Sequence, residues 1–186
     1  MKHIGIFLGS FNPVHIGHLA LANWLCEYED LDEIWFLVTP QNPMKDKTKL
    51  LDYDLRFNMV KKAIAGYSKF KASDMECSLP LPSYTIDTLR TLRQMYPDCL
   101  FHLIIGADNW ENINQWKEAQ ALMSEFPILI YPRKNHEQKE PLPPHIRKVD
   151  APLLDISSSF ICAAIKEGKD VRFFLPETTR DYARFF

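Results

Sequence analysis

The sequence predicts an α/β fold, a parallel sheet with helices on both faces, formed by residues 1–186 as a single domain. Three observations predict it. Short, continuous apolar runs recur at residues 4–8, 34–38, 100–105 and 127–131, as in strands buried on both faces. Segments with helical apolar spacing lie between them. The resulting alternation of strand and helix is what right-handed βαβ crossovers require.

After the first strand, Asn12 is a favourable N-cap and Pro13 suits a first helical position, so a helix is expected to run on through residues 15–29 with Gly17 as its one breaker. Between residues 52 and 65, Leu55, Met59, Val60, Ala63 and Ile64 share one helical face while Arg56, Lys61 and Lys62 fall elsewhere. Ile86, Leu89, Leu92 and Tyr96 mark a third helix. Residues 113–123 read as a fourth, with Ile113, Trp116, Ala119 and Met123 on its apolar face. Ile161, Ala164 and Ile165 mark a last one, preceded by Ser157 and Ser158. Two stretches rich in proline and charge, 40–49 and 134–152, read as surface loops.

With 46% hydrophobic and 25% charged residues, the chain can bury a sizeable core. Its net charge of -2 gives no basic field for long polynucleotides, so nucleic acid is not an expected partner. Cys26, Cys77, Cys99 and Cys162 form no CxxC pair, which suits reduced thiols and suggests no zinc site. No apolar run approaches the ~20 residues a bilayer span needs, so membrane association is not expected and a cytoplasmic location is. A homo-oligomer is compatible with all of this.

Open α/β sheets bind ligands beyond the C-terminal ends of their strands, which directs attention to the loops after Leu8, Val38, Ile105 and Tyr131. In the first, Gly9 leaves room for a phosphate beside the backbone, and the following helix start offers N–H groups and a positive dipole end. His15 and His18, at i and i+3, share one face of that first turn and can reach the same phosphates. Isolated histidines there would more often be surface residues, or part of a metal site. Their arrival together with the turn and the cap favours phosphate binding. Asp108, after Gly106, could accept hydrogen bonds from ribose hydroxyls or cap a helix, and Arg133 is either a nucleotide contact or a solvated loop charge.

The segment from Gly9 to Leu19 resembles the signature of the nucleotidyltransferase superfamily with the HxGH motif. The resemblance extends to the bacterial nicotinate-nucleotide adenylyltransferases through Thr39-Pro40-Gln41-Asn42-Pro43-Met44-Lys45, Pro82-Ser83-Tyr84-Thr85-Ile86-Asp87-Thr88-Leu89, Ile105-Gly106-Ala107-Asp108-Asn109, Tyr131-Pro132-Arg133 and Ile156-Ser157-Ser158-Ser159. It implies a Rossmann-like nucleotidyltransferase fold and transfer of AMP from ATP to nicotinate mononucleotide, with Mg2+ on the ATP phosphates. Nicotinamide mononucleotide or pantetheine phosphate as acceptor, and a weakened ATP-binding relative, are the alternatives. By the same resemblance His15, His18 and Lys45 are catalytic. Gly9, Ser10, Phe11, Gly17, Gly106, Asp108, Arg133, Ser157 and Ser158 are expected to contact ATP, and Tyr84, Thr85, Trp116 and Asn42 the nicotinate mononucleotide.

One position departs from the family pattern. The motif after Ile156 generally continues to an arginine facing the ATP phosphates, and here that residue is Cys162. A thiol cannot replace a guanidinium fork, so one charge-assisted contact is missing or is supplied by a residue such as Arg133 or Lys166.

Overall fold

The computed structural model describes residues 1–40, 50–136 and 141–186. Six strands form one sheet: β1 (Lys2–Gly9), β2 (Glu33–Val38), β3 (Phe70–Ser73), β4 (Cys99–Gly106), β5 (Ile128–Tyr131) and β6 (Ile146–Lys148). Their order is β3-β2-β1-β4-β5-β6, and every pairing is parallel. The helices are α1 (Ile16–Tyr28), α2 (Tyr53–Ile64), α3 (Thr85–Met95), α4 (Ala107–Glu111), α5 (Ala119–Glu125) and α6 (Ser158–Lys166).

Side-chain alternation along the strands builds two cores. Phe7, Phe36, Ile104 and Leu129 point to one face, where Leu21, Leu25, Met59 and Val60 of α1 and α2 cover them. Ile6, Leu37, Leu103 and Ile130 point to the other, beneath Ile86, Leu89 and Leu92 of α3 and Leu122 of α5. Complete burial of a side chain such as Leu89 contributes about 2 kcal/mol, so each helix is held chiefly by its packed face. β1 lies between β2 and β4, with the chain crossing in opposite directions on its two sides. Such a reversal opens a crevice at the C-terminal ends of β1 and β4, where an α/β sheet takes its ligands.

The structure corrects four readings. Helix α1 starts at Ile16 with His15 as its N-cap, so Asn12 and Pro13 lie in the preceding turn and not at the cap. The stretch 113–123 is not one helix. It is a single 3-10 turn (Ile113–Gln115), an extended Trp116, a left-handed Glu118 at φ 50° and then α5. Residues 134–152 are more than a surface loop, because β6 and the buried Val149 and Ala151 lie within them. Arg56, read as lying off the apolar face of α2, is almost completely buried at 1% exposure.

Candidate active site

The turn after β1 has its side chains folded inward. Ser10 and Phe11 are buried, and Phe11 takes a left-handed φ of 44°. The Phe11 ring packs edge-on to Phe7 and to His18, with centroids 5.7 and 5.1 Å away. A Cβ at Gly9 would come within 3.0 Å of that ring, so Phe11 occupies the space beside Gly9. What the turn can offer an anion is therefore mainly backbone.

His15 is buried at 4% exposure and stacks on His18 with ring centroids 3.7 Å apart and planes inclined by 27°. Burial, reinforced by the nearby Arg133 charge, lowers its pKa to about 4, so the ring is neutral at neutral pH. Its Nδ1 is buried and has no hydrogen-bond partner among the described residues. The His15 backbone N–H donates to His18 Nδ1 at 3.2 Å. An Nδ1 that accepts leaves the proton of a neutral His18 on Nε2, and a hydrogen-bond donor on that side of the ring.

Gly17 makes this stacking possible. A Cβ there would sit 3.1 Å from His15 Nδ1 and 3.4 Å from the Ile156 Cβ, so a larger residue would press on the imidazole from one side and on the segment leading into α6 from the other. His15, Gly17, His18, Tyr131, Arg133 and Ile156 line a common cleft. The starts of α1 and α6 converge beside it, with the Ser158 hydroxyl donating to the Pro13 carbonyl at 2.9 Å. Ser157 caps α6, its Oγ accepting from the Phe160 N–H at 3.1 Å. Both hydroxyls thus have protein partners.

Beyond β4, Gly106 allows Asp108 to fold back over the strand end, since a Cβ at Gly106 would lie 2.3 Å from Asp108 Oδ1. Asp108 pairs with Arg133 at 3.6 Å, too long for a hydrogen bond. The Arg133 guanidinium also donates to the Tyr131 hydroxyl at 3.1 Å. Among the described residues Arg133 is the lysine or arginine that lines the cleft, whereas Lys166 lies in the last turn of α6. Cys162 donates its S–H to the Asn12 carbonyl at 3.5 Å, and burial pushes its thiol pKa up, so it supplies no charge.

The remaining expected residues form a second group. Tyr84 is the N-cap of α3 and Thr85 its first residue. Trp116 is half-buried against the core under α3 and α5. Lys117 spans the group, its Nζ 4.9 Å from the Tyr84 ring centre and 2.8 Å from Asp87 Oδ2. Asn42 and Lys45 lie outside the described residues.

Two buried polar residues next to the site were not anticipated as parts of it. Glu76 Oε1 accepts from the Thr88 hydroxyl at 3.0 Å beneath the start of α3, and burial raises its pKa against the opposite pull of that hydrogen bond. Arg56 bonds to main-chain carbonyls of the β1 turn, of the residues after β2 and of Leu51 before α2. Its signal was present, because Arg56 stands at i, i+3, i+4 and i+7 with Met59, Val60 and Ala63 and so shares their face. Nothing comparable in the sequence marks Glu76.

The strand order, with a polar cleft at its switch point, defines a Rossmann-like nucleotide-binding domain. The cytidylyltransferase-like family model matches residues 6–164. A Bacteroides fragilis protein named "probable nicotinate-nucleotide adenylyltransferase" is 54% identical over 172 residues, covering 92% of this chain and 86% of its own length. A Bacteroides thetaiotaomicron protein of the same name is 51% identical over 181 residues, covering 97% and 90%. The chain belongs to the cytidylyltransferase-like family and, within it, to the nicotinate-nucleotide adenylyltransferases. A solved structure of Plasmodium falciparum nicotinic acid mononucleotide adenylyltransferase complexed with NaAD has the same fold, with a TM-score of 0.86 at 24% identity over 100% of this chain and 96% of that one.

Proposed function

We propose that this chain transfers the adenylyl group of ATP to nicotinate mononucleotide, forming nicotinate adenine dinucleotide and pyrophosphate on the route to NAD. The observation that carries the reading is the stacked His15–His18 pair beside two helix starts, in a chain 54% identical to a relative bearing that name. A phosphate oxygen of nicotinate mononucleotide forms the new bond to the α-phosphorus. The bond from that phosphorus to the bridging oxygen breaks, and pyrophosphate leaves with the electron pair. The nucleophile is already an anion, so no serine or cysteine is needed, and the protein aligns the reactants and stabilises developing charge.

His18 donates from Nε2 to the phosphate oxygens, while His15, neutral and stacked against it, holds the ring in register. Asp108 and Arg133 address the nucleotide at the ends of β4 and β5, and the start of α6 supplies N–H groups. The start of α3 and Trp116 take the pyridine ring and its carboxylate, for which a helix N-terminus has a preference over a neutral amide. By the resemblance described above, Lys45 is a further catalytic residue of this proposal.

Among the described residues no group of three or more His, Cys, Asp and Glu could hold a metal. A Mg2+ held by ATP phosphates and water would need no such group, and it would supply charge neutralisation of the departing pyrophosphate. We place the enzyme in the cytoplasm: its four cysteines are free, and no helix among the described residues is long and apolar enough to cross a membrane.

The test is pyrophosphate release from ATP with each of two acceptors. Turnover with nicotinate mononucleotide at least about tenfold faster in kcat/KM than with nicotinamide mononucleotide is expected, as for loss of one charge-assisted contact. Binding of ATP with no release would remove the enzyme reading, and equal rates would remove the acceptor assignment.

A further inference from the structure

Arg56 is a guanidinium with 1% exposure that makes no ion pair with a carboxylate among the described residues. Its donors go to main-chain carbonyls. Nη1 donates to Ser10 at 2.7 Å and Thr39 at 2.9 Å, Nη2 to Pro40 at 3.2 Å and Nε to Leu51 at 2.9 Å. These four carbonyls belong to the turn after β1, the two residues that follow β2 and the residue just before the N-cap of α2. The Asn12 side chain adds a tie in the same place, accepting from the Leu51 N–H at 3.0 Å. One cation therefore joins the turn beside the histidine pair to both flanks of the 41–49 segment.

A buried charge of this kind is costly unless its hydrogen bonds are filled, and a fully buried ion pair often contributes no more than apolar packing would. Leucine or methionine would fill this place on the face of α2 at less expense. The geometry gives the charge a use. In a trans peptide the C=O and N–H point in opposite directions, so drawing the Ser10 carbonyl inward onto the guanidinium turns the Phe11 N–H outward. The hydrogen bond from a cation to that carbonyl also polarises the peptide and makes its N–H a stronger donor. It holds Phe11 in its left-handed conformation as well, with the ring wedged against His18.

We propose that Arg56 is a positioning residue for adenylyl transfer, which fixes and polarises the Ser10–Phe11 peptide beside His18 and couples it to both flanks of the 41–49 segment. The inference rests on the reading of the β1 turn as the ATP phosphate site. Arg56 itself does not touch substrate.

The test compares wild type, Arg56→Ala and Arg56→Lys in steady-state pyrophosphate release, with near-UV circular dichroism to certify the fold. Arg56→Ala should lower kcat by about thirtyfold or more and leave KM for nicotinate mononucleotide within about twofold, because the loss falls on the transition state. Added ethylguanidinium at millimolar concentration should restore at least about fivefold of that loss, and ethylammonium should not, since only a planar fork reaches several carbonyls at once. Arg56→Lys keeps the charge and should remain impaired. It also decides the matter if Arg56→Ala does not fold. A folded Arg56→Ala with kcat within about threefold of wild type, or an Arg56→Lys with full activity, would overturn the proposal. So would a kcat loss that guanidinium leaves untouched. Wild-type turnover in the same series separates the two levels: if wild type releases no pyrophosphate, the functional reading has failed and this proposal with it, whereas active wild type and active variants sink this proposal alone.

Discussion

The two groups of site residues are built differently. Around the start of α1, Ser10, Phe11 and His15 are all at most 5% exposed, and they are tied down by Arg56, by the His15–His18 stack and by the Ser158 bond to Pro13. Around the start of α3, Tyr84 is 37% exposed, Trp116 is half-buried, and Lys117, next to Trp116 in sequence, lies over the Tyr84 ring and pairs with the exposed Asp87. An exposed ion pair contributes little to rigidity. On the function proposed above, the end that would handle phosphate is thus tied down by its own packing, while the end that would take the acceptor has more exposed side chains. This division suits the chemistry: charge stabilisation gains from donors that need not reorganise, and acceptor recognition needs a surface the ring can enter.

Variants at the rigid end should have the larger effects. His18→Ala is expected to lower kcat by at least about a hundredfold with the fold intact, as for removal of a donor to developing charge, measured by steady-state pyrophosphate release. A drop of a few-fold would make His18 a binding residue and weaken the distinction between the two ends. A smaller, opposite change is expected of Cys162→Arg. By the resemblance described above, Cys162 stands where an arginine is expected, and its thiol is turned to the Asn12 carbonyl. Restoring the guanidinium should raise kcat/KM for ATP by about tenfold, the equivalent of ~1.4 kcal/mol. Unchanged kinetics would discard the idea that a guanidinium is wanting at this position.

Most of the fold was legible because its central strands are unbroken apolar runs, such as residues 34–38 within the wholly buried β2. The edge strands were not. β3 and β6 have four and three residues and carry lysines, so neither the run length nor the alternation signals a strand. The break at Trp116–Glu118 was invisible for another reason: the left-handed position is a glutamate, with no glycine or proline to mark it. His15 took the cap expected of Asn12 because the turn after β1 is longer than a minimal strand-to-helix connection. In the site, glycines and histidines stood out by type and spacing. Arg56 shows its burial by sharing a face with Met59, Val60 and Ala63 but not its role, and Glu76 shows neither, since both roles depend on contacts with chain 46 and 12 residues away. No local pattern encodes such contacts.

A crystal structure with bound nicotinate adenine dinucleotide would examine both ends at once. The expected result has the phosphates within about 3.2 Å of the His15–His18 pair and the Phe11 N–H, with the β1 turn unmoved. The pyridine carboxylate should meet the N–H groups at the start of α3, and Tyr84 and Trp116 should have shifted around the ring. A pyridine ring bound away from α3, or a β1 turn that rearranges as much as Tyr84 and Trp116 do, would contradict a rigid phosphate end and an adaptable acceptor end.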